Sequence, residues 1–464
     1  MNRRRVRVAA AAATLVALVA LAGDALAHAG GIRSASSESL AVPTWLFLAT
    51  GGGVIGASFL LASFVTDRAF VRRVDAWGDA LPEPGRVAVL AGRAVGLAGL
   101  ALVFVAGFAG PADGPNTAVR NAAVLLVWAG WWGAYVTSTY LVGNTWPVVN
   151  PFRTLAAPLP SLDRPYPERL GSWPAVGGLL AVVYLEVVTP LASDPRLLAS
   201  TVACYGVLTL AGSVVFGADT WFSTADPVSR LLAAYGRVAP VARTADGVRV
   251  RLPGMGLTDA DWVRDRSDVG FVVCVVFVTT FDGFVGTDLW GALVTPVVTG
   301  GVPAPAAYLG GMLLGFGLFY AAYLGAAGAA RRYADTFVSA VTLARRYAPS
   351  LLAIAAGYHL AHNLTTTLTL APTLAVVAAS PLSPPAAVDL PTLSVPAWVG
   401  GVTVASILAG HLVAVWVAHA TAYDLFPDRL QAIRSQYGVT VAMVAYTMVS
   451  LWVLTRPGGA PPFV

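Results

Sequence analysis

The sequence predicts an all-α protein: a polytopic transmembrane helical bundle of about ten spans behind a cleaved signal peptide. Three observations predict it. Of the 464 residues, 57% are hydrophobic and 11% charged, against roughly 25% charged in soluble domains, so the chain lacks the polar surface needed to face water. Long apolar runs recur from one end to the other, and in hydrocarbon a single apolar chain satisfies its backbone by forming helices of about 20 residues. The arginines, which account for all 29 basic residues, gather in alternate loops between those runs.

The first element is the signal peptide. Arg3, Arg4, Arg5 and Arg7 precede an apolar stretch from Val8 to Ala22, and Ala25-Leu26-Ala27 supplies the small residues of a cleavage site. Removal of residues 1–27 makes His28 the mature amino terminus and leaves 28–42 as an extracellular segment before the membrane domain, 43–464.

Ten runs follow, at roughly 43–65, 87–110, 122–143, 173–192, 197–217, 269–284, 305–328, 349–378, 397–421 and 438–455, of which the sixth is the shortest. With the mature terminus outside, the inside loops hold Arg68, Arg72 and Arg73, then Arg153 and Arg164, then seven arginines within 218–268, and further ones at 331–346 and 429–434. Only Arg33, Arg120, Arg196 and Arg456 fall outside. Cytoplasmic retention of arginine predicts this asymmetry, which places the protein in the cell membrane with loop 218–268 in the cytoplasm.

The loops themselves carry little chemistry. Six prolines between Pro147 and Pro167 exclude one continuous helix over 144–172. Asn150-Pro151-Phe152-Arg153 reads as a turn or re-entrant corner, and 218–268 as a small irregular cap. Cys204 and Cys274 both lie in apolar runs at different depths, so no disulfide is expected. No basic patch interleaved with aromatics suits nucleic acid. The partners implied are the lipid bilayer and a small-molecule or ion substrate.

Ionisable groups within spans are costly and therefore informative. Glu186 and Asp282 each lie about 13 residues into their runs, His359 and His362 about 10 and 13 into the eighth, and His411 about 14 into the ninth. At ~1.5 Å per residue these fall in roughly one layer. Two imidazoles at i and i+3, a third from a neighbouring helix and two carboxylates suit a divalent metal such as zinc or copper. The same groups suit a proton relay or an ion path, or serve helix packing. His28 offers a separate copper ligand through its free amine and ring nitrogen. His419, Asp219 and Asp424 read as interfacial structure, and Trp128, Trp131, Trp132 and Tyr135 as an anchoring or packing cluster.

Several landmarks together resemble a known family. They are Ala27-His28, Pro43-Thr44-Trp45-Leu46-Phe47, Pro165-Tyr166-Pro167-Glu168-Arg169-Leu170-Gly171, Tyr184-Leu185-Glu186, Phe281-Asp282-Gly283-Phe284, Gly410-His411 and Arg434-Ser435-Gln436-Tyr437. In these the chain resembles the polytopic bacterial and archaeal membrane proteins called fenitrothion hydrolase, although Phe152 stands where those relatives usually carry Trp. The resemblance implies hydrolysis of a phosphotriester, which calls for a metal-bound hydroxide. On that reading His362 and His411 are metal ligands, His359 is a ligand or a group that supports one, and Glu186 or Asp282 is a ligand or general base. The alternative is a metal-ion or proton-coupled transporter that uses the same groups at mid-membrane.

Overall fold

The computed structural model describes residues 44–114, 116–244, 247–454, 456 and 459–464, and over these the chain is mostly helical. The signal peptide, its cleavage site and His28 lie outside the described residues. Each of the ten apolar runs is helical, and among the described residues six helical stretches are long and apolar enough to cross a membrane: Arg86–Ala109, Pro195–Phe216, Arg266–Phe284, Ala304–Ala334, Trp398–Leu425 and the near-continuous Arg429–Val453.

Side-chain caps set several helix starts. The first helix, α1 (Thr44–Ser63), is followed by the short α2 (Arg68–Asp75), whose first turn is capped by the Asp67 carboxylate. Helix α3 (Arg86–Ala109) leads to α4, an assembly of Ala122–Leu125, the π-helical Leu126–Tyr135 and Val136–Leu141. The Asn150 carboxamide oxygen accepts from Phe152 N at 2.9 Å and Arg153 N at 3.2 Å. The Asn-Pro corner is therefore a helix start, with Pro151 where its missing N–H costs nothing.

Helix α5 (Trp173–Val188) and α6 (Pro195–Phe216) follow, the latter capped by Asp194 through Arg196 N and Leu197 N. Asp226 caps α7 (Pro227–Tyr235). The sixth run proves longer than its apolar stretch because α8 (Arg266–Phe284) begins in polar sequence, where Asp265 accepts from Ser267 N and Asp268 N. Helix α9 (Asp288–Thr299) is a half-length helix that the hydrophobic runs did not announce. Helices α10 (Ala304–Ala334), α11 (Leu351–Ala379), α12 (Trp398–Leu425), α13 (Arg429–Ser435) and α14 (Tyr437–Leu454) complete the bundle.

The cap differs from the irregular one expected. Strands β1 (Gly78–Leu81), β2 (Val241–Thr244) and β3 (Gly247–Arg251) form an antiparallel sheet in the order β1-β3-β2. Its centre joins two loops distant in sequence, with Gly78 opposite Arg251 and Leu81 opposite Val248. Arg230 and Asp268 form a buried ion pair. The Ser172 hydroxyl donates to the same carboxylate at 2.5 Å and Arg264 N donates to its other oxygen at 2.7 Å, so its lone pairs are shared among several donors.

Helix α8 is the enclosed centre, with an unbroken buried stretch from Ser267 to Val278. Helices α3 and α10 instead present Leu90, Val95, Leu314 and Leu318 outward, as a lipid-facing helix would. The tightest crossing is between α11 and α12. A Cβ on Gly357 would stand 2.5 Å from Ser406 O, and one on Gly410 2.4 Å from Ala353 O, so only glycine permits this backbone approach. Both cysteines are free: Cys274 is buried in α8 and Cys204 is exposed on α6.

Candidate functional site

Helices α5 and α8 run parallel, and their polar residues prove it. At one end Ser172, which precedes α5, bonds to Asp268 of α8. Fourteen residues further along each helix stand Glu186 and Asp282, close enough for their charges to repel. Each lies two residues from the end of its helix. The acidic pair thus sits toward one end of α5 and α8 and not at their midpoints, because α5 has only 16 residues.

The third member comes from α11. His362 Nε2 lies 3.8 Å from Asp282 Oδ2, with the two side chains 11% and 30% exposed respectively. This contact joins two of the residues singled out in sequence and leaves the carboxylate partly exposed. The Tyr358 ring stacks on His362 one turn away, with centroids 6.0 Å apart and planes at 15°. Its hydroxyl faces Gly283 beside Asp282, at 3.7 Å from where a Cβ would stand.

His359 occupies a different environment. Its Nδ1 lies 2.9 Å from the Tyr140 hydroxyl, and that hydroxyl lies 3.0 Å from Thr137 Oγ1. The rings of Trp132, Tyr140 and Tyr235 surround it at 4.8, 5.7 and 6.0 Å. The π-helical turns of α4 bring Trp132 there, and Gly133 lets that segment abut α11, since a Cβ would fall 2.1 Å from Thr367 Oγ1. π-Helical turns inside α-helices are frequent at functional sites.

His411 is held by its own helix and by α14. Nδ1 donates to Ile407 O at 2.6 Å, and Nε2 meets the Thr447 hydroxyl. Its two ring nitrogens are thereby engaged, and the nearest polar partner is a hydroxyl and not another ionisable group. His419 is likewise bonded through Nε2 to Val65 O at 2.8 Å, tying α12 to the end of α1. Asp219 and Asp424 pair with Arg153 and Arg346.

The five intramembrane groups therefore divide. Glu186, Asp282 and His362 assemble, His359 adjoins them on the same helix but bonds to Tyr140, and His411 serves the α12–α14 contact. Among the described residues no three His, Cys, Asp or Glu side chains converge as a metal ion requires. Asp282 and His362 are two donors, short of the usual three or four protein ligands of zinc.

Sequence reasoning singled out the histidines and acids but not Tyr140, Tyr358 or Thr447. Trp132 was expected only to anchor or pack. Tyr358 carried a usable signal, because it stands at i−4 from His362 and so shares its helix face. The chain matches no family model, no curated protein and no solved structure. The resemblance to the fenitrothion hydrolases rests on the sequence landmarks alone.

Proposed function

We propose that this is a multi-pass cell-membrane protein of ten spans in which Glu186, Asp282 and His362 bind and release a proton during transport of a small molecule or ion. The observation that carries this reading is the Asp282–His362 contact beside a second carboxylate. Two acids and an imidazole in one partly accessible cluster share fewer protons than they have sites, and uptake or loss of one changes the charge presented to a solute. His359 lies one turn further along α11, and His411 belongs to packing.

Orientation follows the arginines. Loop 218–268 lies in the cytoplasm, and the mature terminus and residues 379–396 lie outside. An engineered cysteine at Ser383 should react with an impermeant external reagent in intact cells, and protection there with labelling of 218–268 inverts the map.

The functional test uses sealed proteoliposomes with an entrapped pH dye. Wild-type protein should dissipate an imposed proton gradient, and Asp282→Asn should lose that flux while remaining folded. The competing reading is the metal-dependent phosphotriester hydrolase implied by the resemblance, for which Asp282 and His362 are two donors, with zinc or copper as the ion and His28 as a further copper ligand. It predicts stoichiometric metal in the purified protein and turnover in detergent. That result, with no proton flux, would sink the transport reading.

A further inference from the structure

We propose that His359, Tyr140 and Thr137 form a proton relay leading from the Glu186–Asp282–His362 cluster through the bundle to a half-buried hydroxyl. The inference rests on the proton-coupled reading above and names the residues that would carry the proton away.

The geometry supplies the links. His359 and His362 are three residues apart on α11, so they lie on roughly one face with Cβ atoms about 5–6 Å apart. His359 is 1% exposed, and its Nε2 makes no short hydrogen bond, although the ring also lies within reach of the Trp132 backbone carbonyl. Burying an imidazole nitrogen without a close partner costs stability. The opposite nitrogen is committed to Tyr140 at 2.9 Å, and the phenol continues to Thr137 at 3.0 Å. Thr137 is only half-buried, so this short chain joins an enclosed ring to a more accessible hydroxyl.

The step balances with these groups alone. In the resting tautomer Nδ1–H donates to the Tyr140 oxygen, the Tyr140 O–H donates to Thr137 Oγ1, and Nε2 has a free lone pair. A proton leaving His362 joins Nε2, either directly or through one water. The Nδ1 proton then moves to the Tyr140 oxygen as the Tyr140 proton moves to Thr137, whose own proton passes to a water at its accessible side. The imidazole is left as the other tautomer, and a reverse reorientation of ring and hydroxyls restores the start. No oxidant or further reactant is involved.

The aromatic box suits this role. Trp132 and Tyr235 hold the His359 ring at 4.8 and 6.0 Å, and Tyr235 packs edge-on against Tyr140 at 5.4 Å. These contacts fix the ring while keeping bulk water off Nε2, so that a proton enters along one path. Tyr140→Phe removes the hydroxyl and keeps every one of those ring contacts, which makes it the informative variant.

The experiment measures proton flux in proteoliposomes under an imposed pH gradient, for wild type and for Tyr140→Phe. Loss of roughly a hundredfold in rate, the low end of what a positioned proton-transfer group contributes, in a variant that still folds and melts cooperatively supports the relay. A wild-type rate that slows in deuterium oxide supports it too. His359→Gln should lose the flux similarly, which guards against a folding defect peculiar to one variant. Wild-type flux in Tyr140→Phe overturns the relay and leaves the Glu186–Asp282–His362 reading standing. Absence of flux in the wild type overturns that reading, and the relay with it.

Discussion

Helices α11 and α12 pack against each other, and each carries two histidines, yet the two pairs do different things. On α12, His411 and His419 bond to backbone carbonyls, Ile407 O and Val65 O. On α11, His362 meets a carboxylate and His359 a phenol. A carbonyl takes up an imidazole N–H without ever changing charge, so the α12 histidines add a bond and fix a helix. His411 also meets the Thr447 hydroxyl, an aliphatic alcohol that does not ionise. A carboxylate or a phenol is ionisable and exchanges protons, so the α11 histidines can change state. Residue type is shared by both pairs. The partner decides the role.

The largest effect should come from the crossing that holds the two helices together. Gly357→Leu drives a side chain into the Ser406 carbonyl, where even a Cβ would stand at 2.5 Å. A destabilisation of about 3 kcal/mol or more, or failure to accumulate folded protein, is expected, because neither backbone can withdraw without unpacking. Thermal unfolding in detergent measures it. A normal melt would mean that the two helices are not held in this register, and the contrast between their histidines would lose its frame.

The contrast itself is broken or kept by a pair of alanine variants. His362→Ala should abolish proton flux with little loss of stability, since its partner Asp282 is 30% exposed and can be rehydrated. His411→Ala should do the reverse. It leaves the Ile407 carbonyl and Thr447 hydroxyl without their partner in the core, a cost of about 1–3 kcal/mol, and leaves flux near wild type. If His411→Ala stops transport and leaves the melt unchanged, the assignment of α12 to packing is wrong.

Much of the bundle was legible in the sequence, and the reason is physical. Long apolar runs have one stable form in hydrocarbon, so each of the ten became helical within a few residues of its expected bounds. Polar caps were harder to read: α8 starts at Arg266 because Asp265 caps it, whereas hydropathy begins at Val269. The sheet was not legible. Its strands are 4 or 5 residues long, carry Arg243, Arg249 and Arg251, and pair across loops far apart in sequence, so no local alternation marks them. The site was legible as a list and not as a map. Spacing put Asp282, His362 and Glu186 in one layer, but depth says nothing of azimuth, and azimuth separates His411 from them. Thr447 and Tyr140 were invisible because a hydroxyl in an apolar run costs little and is common.

The smallest expected effect lies where α12 leaves the bundle. Asp75, on α2, lies with Tyr423 and Asp424 of α12 around a cleft of about 340 Å³. Burial raises its pKa above the ordinary 3.8, the nearby Asp424 adds to the rise, and the Thr258 hydroxyl at 2.7 Å and Arg251 oppose it. For a carboxyl group raised in the folded state, the protonated form is favoured by folding. Its contribution to stability is therefore lost as pH climbs from the unfolded value of 3.8 toward the raised folded one, and the penalty persists above that. Asp75→Asn keeps an acceptor for Thr258 and removes the charge, so it should stabilise the protein at neutral pH and flatten the stability profile just above pH 4. Because the group is still partly solvated, the gain should be about half a kcal/mol or less. Urea titrations between pH 4 and pH 7 measure it, and proton flux in this variant should match wild type, since Asp75 bonds to the cap and not to the α11 histidines. A variant that instead becomes less stable at neutral pH would mean that Asp75 is held as a needed anion by Arg251, and that the end of α12 is fixed by charge as well as by the carbonyl bonds of its histidines.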